Sequence, residues 1–288
     1  MPDGVLSWSS MFAMALLGAC TRPGPADLVT DADTVAILKV AGSSAVLPFA
    51  AEAANSFMRT HPGSAIQVEA GGSRQGLAKV AAGAIAIGTS DVFATGELAS
   101  QLEDHKIAVV GFAAMANRGP FNASIASLTR GQLRGIFSGE IRDWSEVGGN
   151  TQPITIINRA KNSGTRAAFG SIVLGGDTFA AGSEEQESSA LVQTMLLQKV
   201  GAISYLALSY LHADLKTFAV DGVEPTRENI ERDIYPIWSY EHMYTRGPAF
   251  GEARMFIDYA MSPAMQNGVL ERGGFIPIAT MKVARTHD

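Results

Sequence analysis

The stretch TVAILKVAGSSAVLPFAAEAANSFMRTHPG, residues 34–63, contains both kinds of element from which the rest of the chain is built. TVAILKVAG is rich in apolar and β-branched residues, which is typical of a buried strand. The segment after it places apolar residues on one face of a helix, and Gly63 ends that helix. The residues of this face are Leu47, Ala50, Ala54, Phe57 and Met58. The stretch therefore predicts a strand followed directly by an amphipathic helix.

The same alternation continues along the chain. AIQVEAGG, SRQGLAKVAAG and AIAIGTSD follow as strand, helix and strand, and KIAVVGFAAMANR is a long apolar strand. The C-terminal part predicts two amphipathic helices separated at Pro263 and a final strand at FIPI. This rhythm predicts an α/β fold, in which helices cover a mixed, mostly parallel sheet.

Length and composition limit the possible classes of protein. The chain has 288 residues, enough for one large domain or two of ordinary size. Hydrophobic residues make up 47% and charged residues 17%, which indicates a globular protein. A formal net charge of −6 argues against a nucleic-acid partner, because phosphate backbones attract basic surfaces. No apolar stretch after the N-terminus is long enough to cross a bilayer.

The N-terminus predicts export and a lipid anchor. VLSWSSMFAMALLGA is an apolar segment of signal-peptide length, and the sequence ending at Cys20 resembles the lipobox of bacterial lipoproteins. We expect a signal peptide over residues 1–19, lipidation at Cys20 and a flexible tether over residues 20–35. The apolar segment lacks a preceding Lys or Arg, and Asp3 is acidic, so the signal departs from the usual pattern. The alternative is a buried cysteine in an N-terminal helix.

Four loops between predicted strands and helices share one design. Each brings a hydroxyl, and often a glycine, to a position where a strand ends. The free N–H groups of a helix's first turn attract an anion, and a nearby hydroxyl can donate to it. An arginine in one loop adds positive charge, so their recurrence predicts an oxyanion site. The loops are VAGSSAVLP with Ser43 and Ser44, VEAGGSRQG with Ser73, AIGTSDVF with Asp91, and NRAKNSGT with Arg159, Ser163, Gly164 and Thr165.

Each loop by itself has a simpler explanation, because Ser and Thr are common helix caps. Asp91 could cap a helix that begins at Val92. The glycines fit neither the dinucleotide fingerprint nor the phosphate loop of nucleotide-binding proteins. The five histidines show no metal-binding spacing, and no nucleophile elbow is present, so catalysis is disfavoured.

Several blocks occur in an order that resembles a known family. They are GSSAVLPFAAEAANSF, GGSRQGLAKVAAGAIAIGTSDVF, HKIAVVGFAAMAN, LTRGQLRGIFSGEIRDWSEVGG, INRAKNSGTRAAF and FIDYAMSPAMQNGVLERGGFIPI. Over roughly residues 36–280, the chain resembles the phosphate-binding proteins of bacterial phosphate ABC transporters. The specificity comes from the combination of blocks, because no single block is distinctive.

This resemblance implies a two-lobed periplasmic-binding-protein fold of type II, each lobe a mixed, mostly parallel sheet flanked by helices. Lobe one would contain residues 36–114 and 239–288, and lobe two residues 115–238. Two hinge segments would join the lobes, near residues 110–117 and 234–245.

The resemblance also implies the residues that hold phosphate. The expected contacts are Ser43 or Ser44, the N–H of Ala45, Ser73, Asp91, Arg159, Ser163, Gly164 and Thr165. Asp91 would accept the proton that phosphate still carries at neutral pH and would repel fully ionised sulfate. The chain departs from the family pattern at Lys161 and Asn162; we expect Lys161 to point into water. We expect Arg166 to pair with a carboxylate rather than to reach phosphate.

The implied function is capture of inorganic phosphate and its delivery to an ABC import permease with an ATPase subunit. We expect an exported monomer, lipid-anchored to the cell membrane and facing the periplasm or exterior, with no cofactor, metal or nucleic-acid partner. The alternatives are a tethered sensor, a binding protein for sulfate or molybdate, and a phosphatase-like enzyme. Asp91 argues against the fully ionised anions.

Overall fold

The computed structural model describes residues 36–286. The predictions of a signal peptide over residues 1–19, lipidation at Cys20 and a tether over residues 20–35 lie outside these described residues. The strands are β1 (Ile37–Gly42), β2 (Ala65–Ala70), β3 (Ile87–Ser90), β4 (Leu102–Asn117), β5 (Ser127–Leu128), β6 (Thr155–Arg159), β7 (Glu184–Gln186), β8 (Ala202–Ala207), β9 (Leu215–Thr217), β10 (Ala219–Val220) and β11 (Trp238–Arg246).

Helices connect most of these strands. The α-helices are α1 (Leu47–Thr60), α2 (Ser73–Ala81), α3 (Glu97–Gln101), α4 (Arg130–Ser138), α5 (Gly164–Val173), α6 (Ser189–Gln198), α7 (Arg227–Glu231) and α8 (Gly251–Ala260). Short 3-10 turns lie at Pro120–Asn122, Trp144–Val147, Leu208–Tyr210 and Ile278–Thr280, and Met265–Leu270 is π-helical. None of the helices between residues 36 and 286 has the length and apolar character needed to span a membrane.

A mixed sheet forms the centre of the described chain. Eight of its nine strands lie in the order β2-β1-β3-β11-β4-β8-β6-β7, and the ninth, β9, pairs with β4. The outer pairs, β1 with β2 and β3 and β6 with β7 and β8, are parallel. The central pairs of β11 with β3 and β4, and of β4 with β8 and β9, are antiparallel. The predicted mixed sheet is confirmed, and its parallel part lies on either side of an antiparallel centre.

Strand β4 pairs with different partners along its length. Residues 102–111 pair with β11, whereas residues 112–117 pair with β8 and β9. The strand is 16 residues long and begins four residues earlier than KIAVVGFAAMANR predicts. The polar start of β4 is extended because residues 102–105 pair with the last four residues of β11. One strand therefore connects the two groups of parallel strands.

Helix α1 packs much as its spacing predicts. Ala50, Ala54 and Phe57 are buried, together with Phe49 and Ala53. The other two predicted face residues, at positions 47 and 58, are only half-buried. A proline in the first turn favours the start of the helix, because its fixed backbone suits that position and its missing N–H has no partner there. The buried face fixes the loop before α1 against the sheet.

The predicted final strand is wrong. Ile276 makes one isolated bridge with Val109, and the chain then enters the turn Ile278–Thr280. Gly274 has a φ of 79°, a left-handed conformation that interrupts an extended strand. Pro277 has no N–H with which to continue a ladder. Backbone chemistry therefore limits this pairing to a single residue.

Candidate anion-binding site

The four polar loops singled out in the sequence meet at the carboxyl ends of β1, β2, β3 and β6. The N–H of Asp91 donates to Ser73 Oγ at 3.0 Å, and Thr165 Oγ1 donates to Asp91 Oδ2 at 2.6 Å. Arg159 Nη2 donates to Ser44 Oγ at 2.8 Å. Such ends of parallel strands are where open α/β sheets bind ligands. The side chains of these loops that the sequence predicts for the site are at most 2% exposed: Ser43, Ser44, Ser73, Asp91, Arg159, Ser163 and Thr165.

Arg159 supplies the positive charge of this site. It is the last residue of β6, and its side chain is 1% exposed. Besides Ser44, its guanidinium contacts Ser189 Oγ at 3.0 Å and the carbonyl of Glu187 at 3.4 Å. Burial lowers the pKa of Arg159 and the charge of Asp91 opposes this, but a guanidinium stays protonated at neutral pH. The site therefore contains a buried cation beside several hydroxyls.

The two serines after β1 have different roles. Ser43 Oγ accepts from the N–H groups of Ala45 and Val46, at 3.0 and 3.5 Å. Ser44 Oγ instead meets Arg159 and accepts from the N–H of Ser189 at 3.1 Å. The Ala45 N–H is thus bonded to Ser43 in this structure. Ser44 is the serine that faces the guanidinium.

Asp91 does not cap a helix. The next helix, α3, begins at Glu97 with Gly96 at its N-cap, so a helix beginning at Val92 is excluded. Ser239 instead donates its hydroxyl to the backbone carbonyl of Asp91. Among the described residues, no group donates to Asp91 Oδ1. The carboxylate thus keeps one acceptor oxygen available inside the site.

The loop before α5 places hydroxyls at a helix mouth. Ser163 is the N-cap, and its Oγ accepts from the N–H of Arg166 at 3.2 Å. The first N–H groups of any helix have no partner within the helix, so those of Gly164 and Thr165 can bind an anion. A Cβ on Gly164 would lie 2.2 Å from Ser73 Oγ. Glycine at this position permits the close approach of the two loops.

Of the two unusual residues of this loop, Asn162 is half-buried. Asn162 donates from its side chain to the carbonyl of Gly71 at 2.9 Å and accepts from the N–H of Arg74 at 3.1 Å. Lys161 is exposed. Arg166 forms the predicted ion pair, with Glu185 at 2.7 Å. Asn162 therefore holds the loop through hydrogen bonds to Gly71 and to the first turn of α2.

Comparison with known proteins shows the family to which this chain is similar. A family model described as the PBP superfamily domain matches residues 29–264. The phosphate-binding protein PstS of Bacillus subtilis (strain 168) is 44% identical over 252 residues, which cover 86% of this chain and 83% of that protein. The chain belongs to the PstS family of the PBP superfamily.

Solved structures support the same family fold. A phosphate ABC transporter substrate-binding protein with bound phosphate from Clostridium perfringens has a TM-score of 0.79 and 27% identity, covering 84% of this chain and 100% of that one. An ABC-type phosphate transport receptor from Vibrio cholerae has a TM-score of 0.69 and 24% identity, covering 83% and 99% of the two chains. The second match supports the fold alone. The predicted type II binding-protein fold is confirmed.

Two polar residues of this PstS family member were missed in the sequence. Ser189 is the first residue of α6 and bonds both Ser44 and Arg159. Its neighbour Ser188 is the N-cap, so the pair SS before an apolar run was the available signal. Glu241, in the middle of β11, is fully buried beside Asp91. Nothing in WSYEHMYT distinguishes this glutamate from an ordinary strand residue.

The named relatives are binding proteins and transport receptors rather than enzymes. Between residues 36 and 286, no three His, Cys, Asp or Glu side chains are grouped so that they could hold a metal ion.

Proposed function

We propose that this chain binds inorganic phosphate between the four loops and delivers it to an ABC-type phosphate import permease. The observation that carries the proposal is the buried Arg159 guanidinium, which meets hydroxyls from separate loops beside the carboxylate of Asp91. A guanidinium forms strong, two-pronged hydrogen bonds with phosphate. The names of the PstS relative and of the Clostridium perfringens protein support the same ligand.

The hydroxyls retain the protons that an oxyanion needs. Ser43, Ser73 and Ser163 each accept a hydrogen bond from a backbone N–H. A hydroxyl that accepts through a lone pair still has its O–H to donate. Together with Arg159 and the N–H groups at the mouth of α5, these hydroxyls form a donor-rich shell for a tetrahedral anion.

Asp91 gives the site its selectivity. Phosphate at neutral pH carries a proton that can be donated to Asp91 Oδ1, which accepts from no other described group. Sulfate carries no proton, so one of its oxygens would face a second acceptor with nothing between them. A site that leaves buried polar groups unpaired can reject such an analogue by about 10⁴-fold.

Closure around phosphate would join two lobes. We assign residues 36–114 and 239–288 to lobe one and residues 115–238 to lobe two, with Asp91 and Arg159 on opposite lobes. Contacts between these groups of residues include Arg159 with Ser44, Thr165 with Asp91 and Asn162 with Gly71. A ligand that contacts both lobes favours the closed arrangement. The polar contacts between the loops support this assignment.

We propose that the protein is exported and acts at the outer side of the cell membrane. An export signal and lipidation at Cys20 would hold a monomer on the cell membrane, facing the periplasm or exterior. The tether would let the phosphate-loaded protein reach the permease, whose ATPase partner supplies the energy.

Titration calorimetry tests the ligand directly. Residues 21–288, freed of co-purified phosphate, should bind phosphate with one-to-one stoichiometry and should give no resolvable heat with sulfate. Molybdate serves as a second fully ionised comparison. Sulfate or molybdate binding as strong as that of phosphate would contradict the phosphate assignment, and no heat with any of the three anions would favour a tethered sensor.

We expect Gly164→Ala to weaken phosphate binding by at least about 10-fold. The added Cβ would lie 2.2 Å from Ser73 Oγ and 3.1 Å from Asp91 Cβ, so the two loops would be forced apart. The measurement is the same calorimetric titration. Gly131→Ala is the matched control, because Gly131 also lies in the first turn of a helix but its nearest contact is an ordinary 3.8 Å. Equal affinity for both variants would show that the close approach at Gly164 is irrelevant to binding.

A further inference from the structure

A second carboxyl group lies inside the site. Glu241 is in β11, which lies between β3 and β4 at the centre of the sheet, and its side chain is 0% exposed. The pairing of β11 with β4 shifts by one residue between Glu241 and His242, so Ile107 of β4 has no partner in β11. Irregularities of this kind change the direction of a side chain and are frequent beside functional sites.

The neighbour of Glu241 is Asp91. His242 pairs with Ser90 in the ladder of β11 and β3, so the next positions along the two strands are Glu241 and Asp91. No described group donates a hydrogen bond to Asp91 Oδ1 or to either carboxyl oxygen of Glu241. Two ionised carboxylates would repel each other in this buried position, whereas a single proton between them provides the missing donor.

We propose that Glu241 and Asp91 share one proton, which Glu241 holds and donates to Asp91, so that the pair carries a single negative charge. This inference rests on the proposed function and adds a specificity residue to the same site. Each carboxyl oxygen has two lone pairs, so Asp91 can accept from Glu241 and Thr165 and still accept the phosphate proton.

The charges around the pair support a neutral Glu241. Burial, and then the charge of Asp91, raises the pKa of Glu241 well above its usual value. Tyr210 also faces the pair, and burial raises its pKa to about 12, so it stays neutral. Arg159, the buried cation of the site, interacts with the charge of Asp91. With Glu241 neutral, Arg159 and Asp91 balance each other before phosphate enters.

This arrangement makes stability depend on pH with a definite sign. Above the ordinary pKa of glutamate, the unfolded chain releases a proton that the folded chain keeps at Glu241. Folding therefore loses stability as pH rises from that value to the raised pKa of Glu241. Glutamine keeps the shape and a hydrogen-bond donor but has no proton to lose. Glu241→Gln should thus become more stabilising as pH rises.

The first experiment is thermal unfolding of full-length wild type and Glu241→Gln without phosphate, from about pH 5 to about pH 9. We expect the melting temperature of the variant to gain at least about 2 °C on wild type across this range. Glu228→Gln is the control, because the Glu228 side chain is 77% exposed. If the melting temperatures of wild type and Glu241→Gln changed with pH in parallel, the proposal of a shared proton would be wrong.

An infrared spectrum provides a second measurement that needs only a folded wild type. A protonated carboxyl group gives a C=O band separate from the carboxylate bands, and wild type should show one at neutral pH. Its absence at neutral pH would contradict the proposal even if Glu241→Gln failed to fold.

Phosphate titration then separates this inference from the proposed function. Between about pH 7 and about pH 9, the phosphate affinity of both proteins is compared. The factor by which it falls should be at least about 10-fold larger for wild type than for Glu241→Gln, because an ionised Glu241 repels the anion. Equal losses would show that Glu241 does not act on the ligand. If neither protein binds phosphate, the proposed function fails, while the thermal and infrared results still decide whether the proton is shared.

Discussion

Replacing Arg159 with alanine is expected to weaken phosphate binding by about 10²–10⁴-fold. Truncation of one partner of a buried, hydrogen-bonded charge pair in a complex costs about 3–5 kcal/mol of binding free energy, and each 1.4 kcal/mol is tenfold in affinity. Arg159 is the cation that bonds Ser44 and Ser189 inside the site. Arg159→Lys should fall between wild type and alanine, because lysine keeps the charge but loses the planar two-pronged geometry. Calorimetric titration with phosphate measures the series.

Stability measurements distinguish loss of binding from loss of folding. Without phosphate, Arg159→Ala should still unfold in one cooperative transition, at a lowered melting temperature because Asp91 loses its buried counter-charge. Arg134→Ala is the control: this arginine of α4 is exposed, is paired with Asp177 at 2.5 Å and is not part of the four loops. If Arg159→Ala bound phosphate as wild type does, the proposed site would be wrong.

Asp91→Asn is expected to lower the preference for phosphate over sulfate by at least about 100-fold. The asparagine amide can donate to a sulfate oxygen, whereas the carboxylate oxygen can only accept. Thr165 can still donate to the asparagine carbonyl, so the loop contact at this position survives. Competition calorimetry with phosphate and sulfate gives the ratio of the two dissociation constants.

The control for this variant is Asp177→Asn, which changes an exposed carboxylate outside the loops. An unchanged ratio in Asp91→Asn would remove the role given to this carboxylate. A lower phosphate affinity with an unchanged ratio would mean that Asp91 supports the loop without selecting the ligand.

Much of the fold could be predicted from the sequence, because it follows from interactions between residues that are close along the chain. The strand and helix of residues 34–63 follow from apolar spacing, a proline in the first helical turn and a glycine after the last. Ser163 and the hydroxyl loop before α5 follow from N-cap chemistry, which acts within three residues. The final strand at FIPI failed because Gly274 and Pro277 limit pairing to one residue, although its composition is that of a strand.

Other features required the folded chain, because they depend on residues that are distant in sequence. The sequence by itself determined the α/β pattern, the polar loops and the presence of Arg159 in one of them. Only the tertiary structure decided that Ser44 rather than Ser43 faces the guanidinium, since Ser189, 145 positions away, completes that contact. Only burial distinguishes Glu241 from an ordinary strand residue, because a carboxyl group changes its chemistry when water is excluded and a second carboxyl lies beside it.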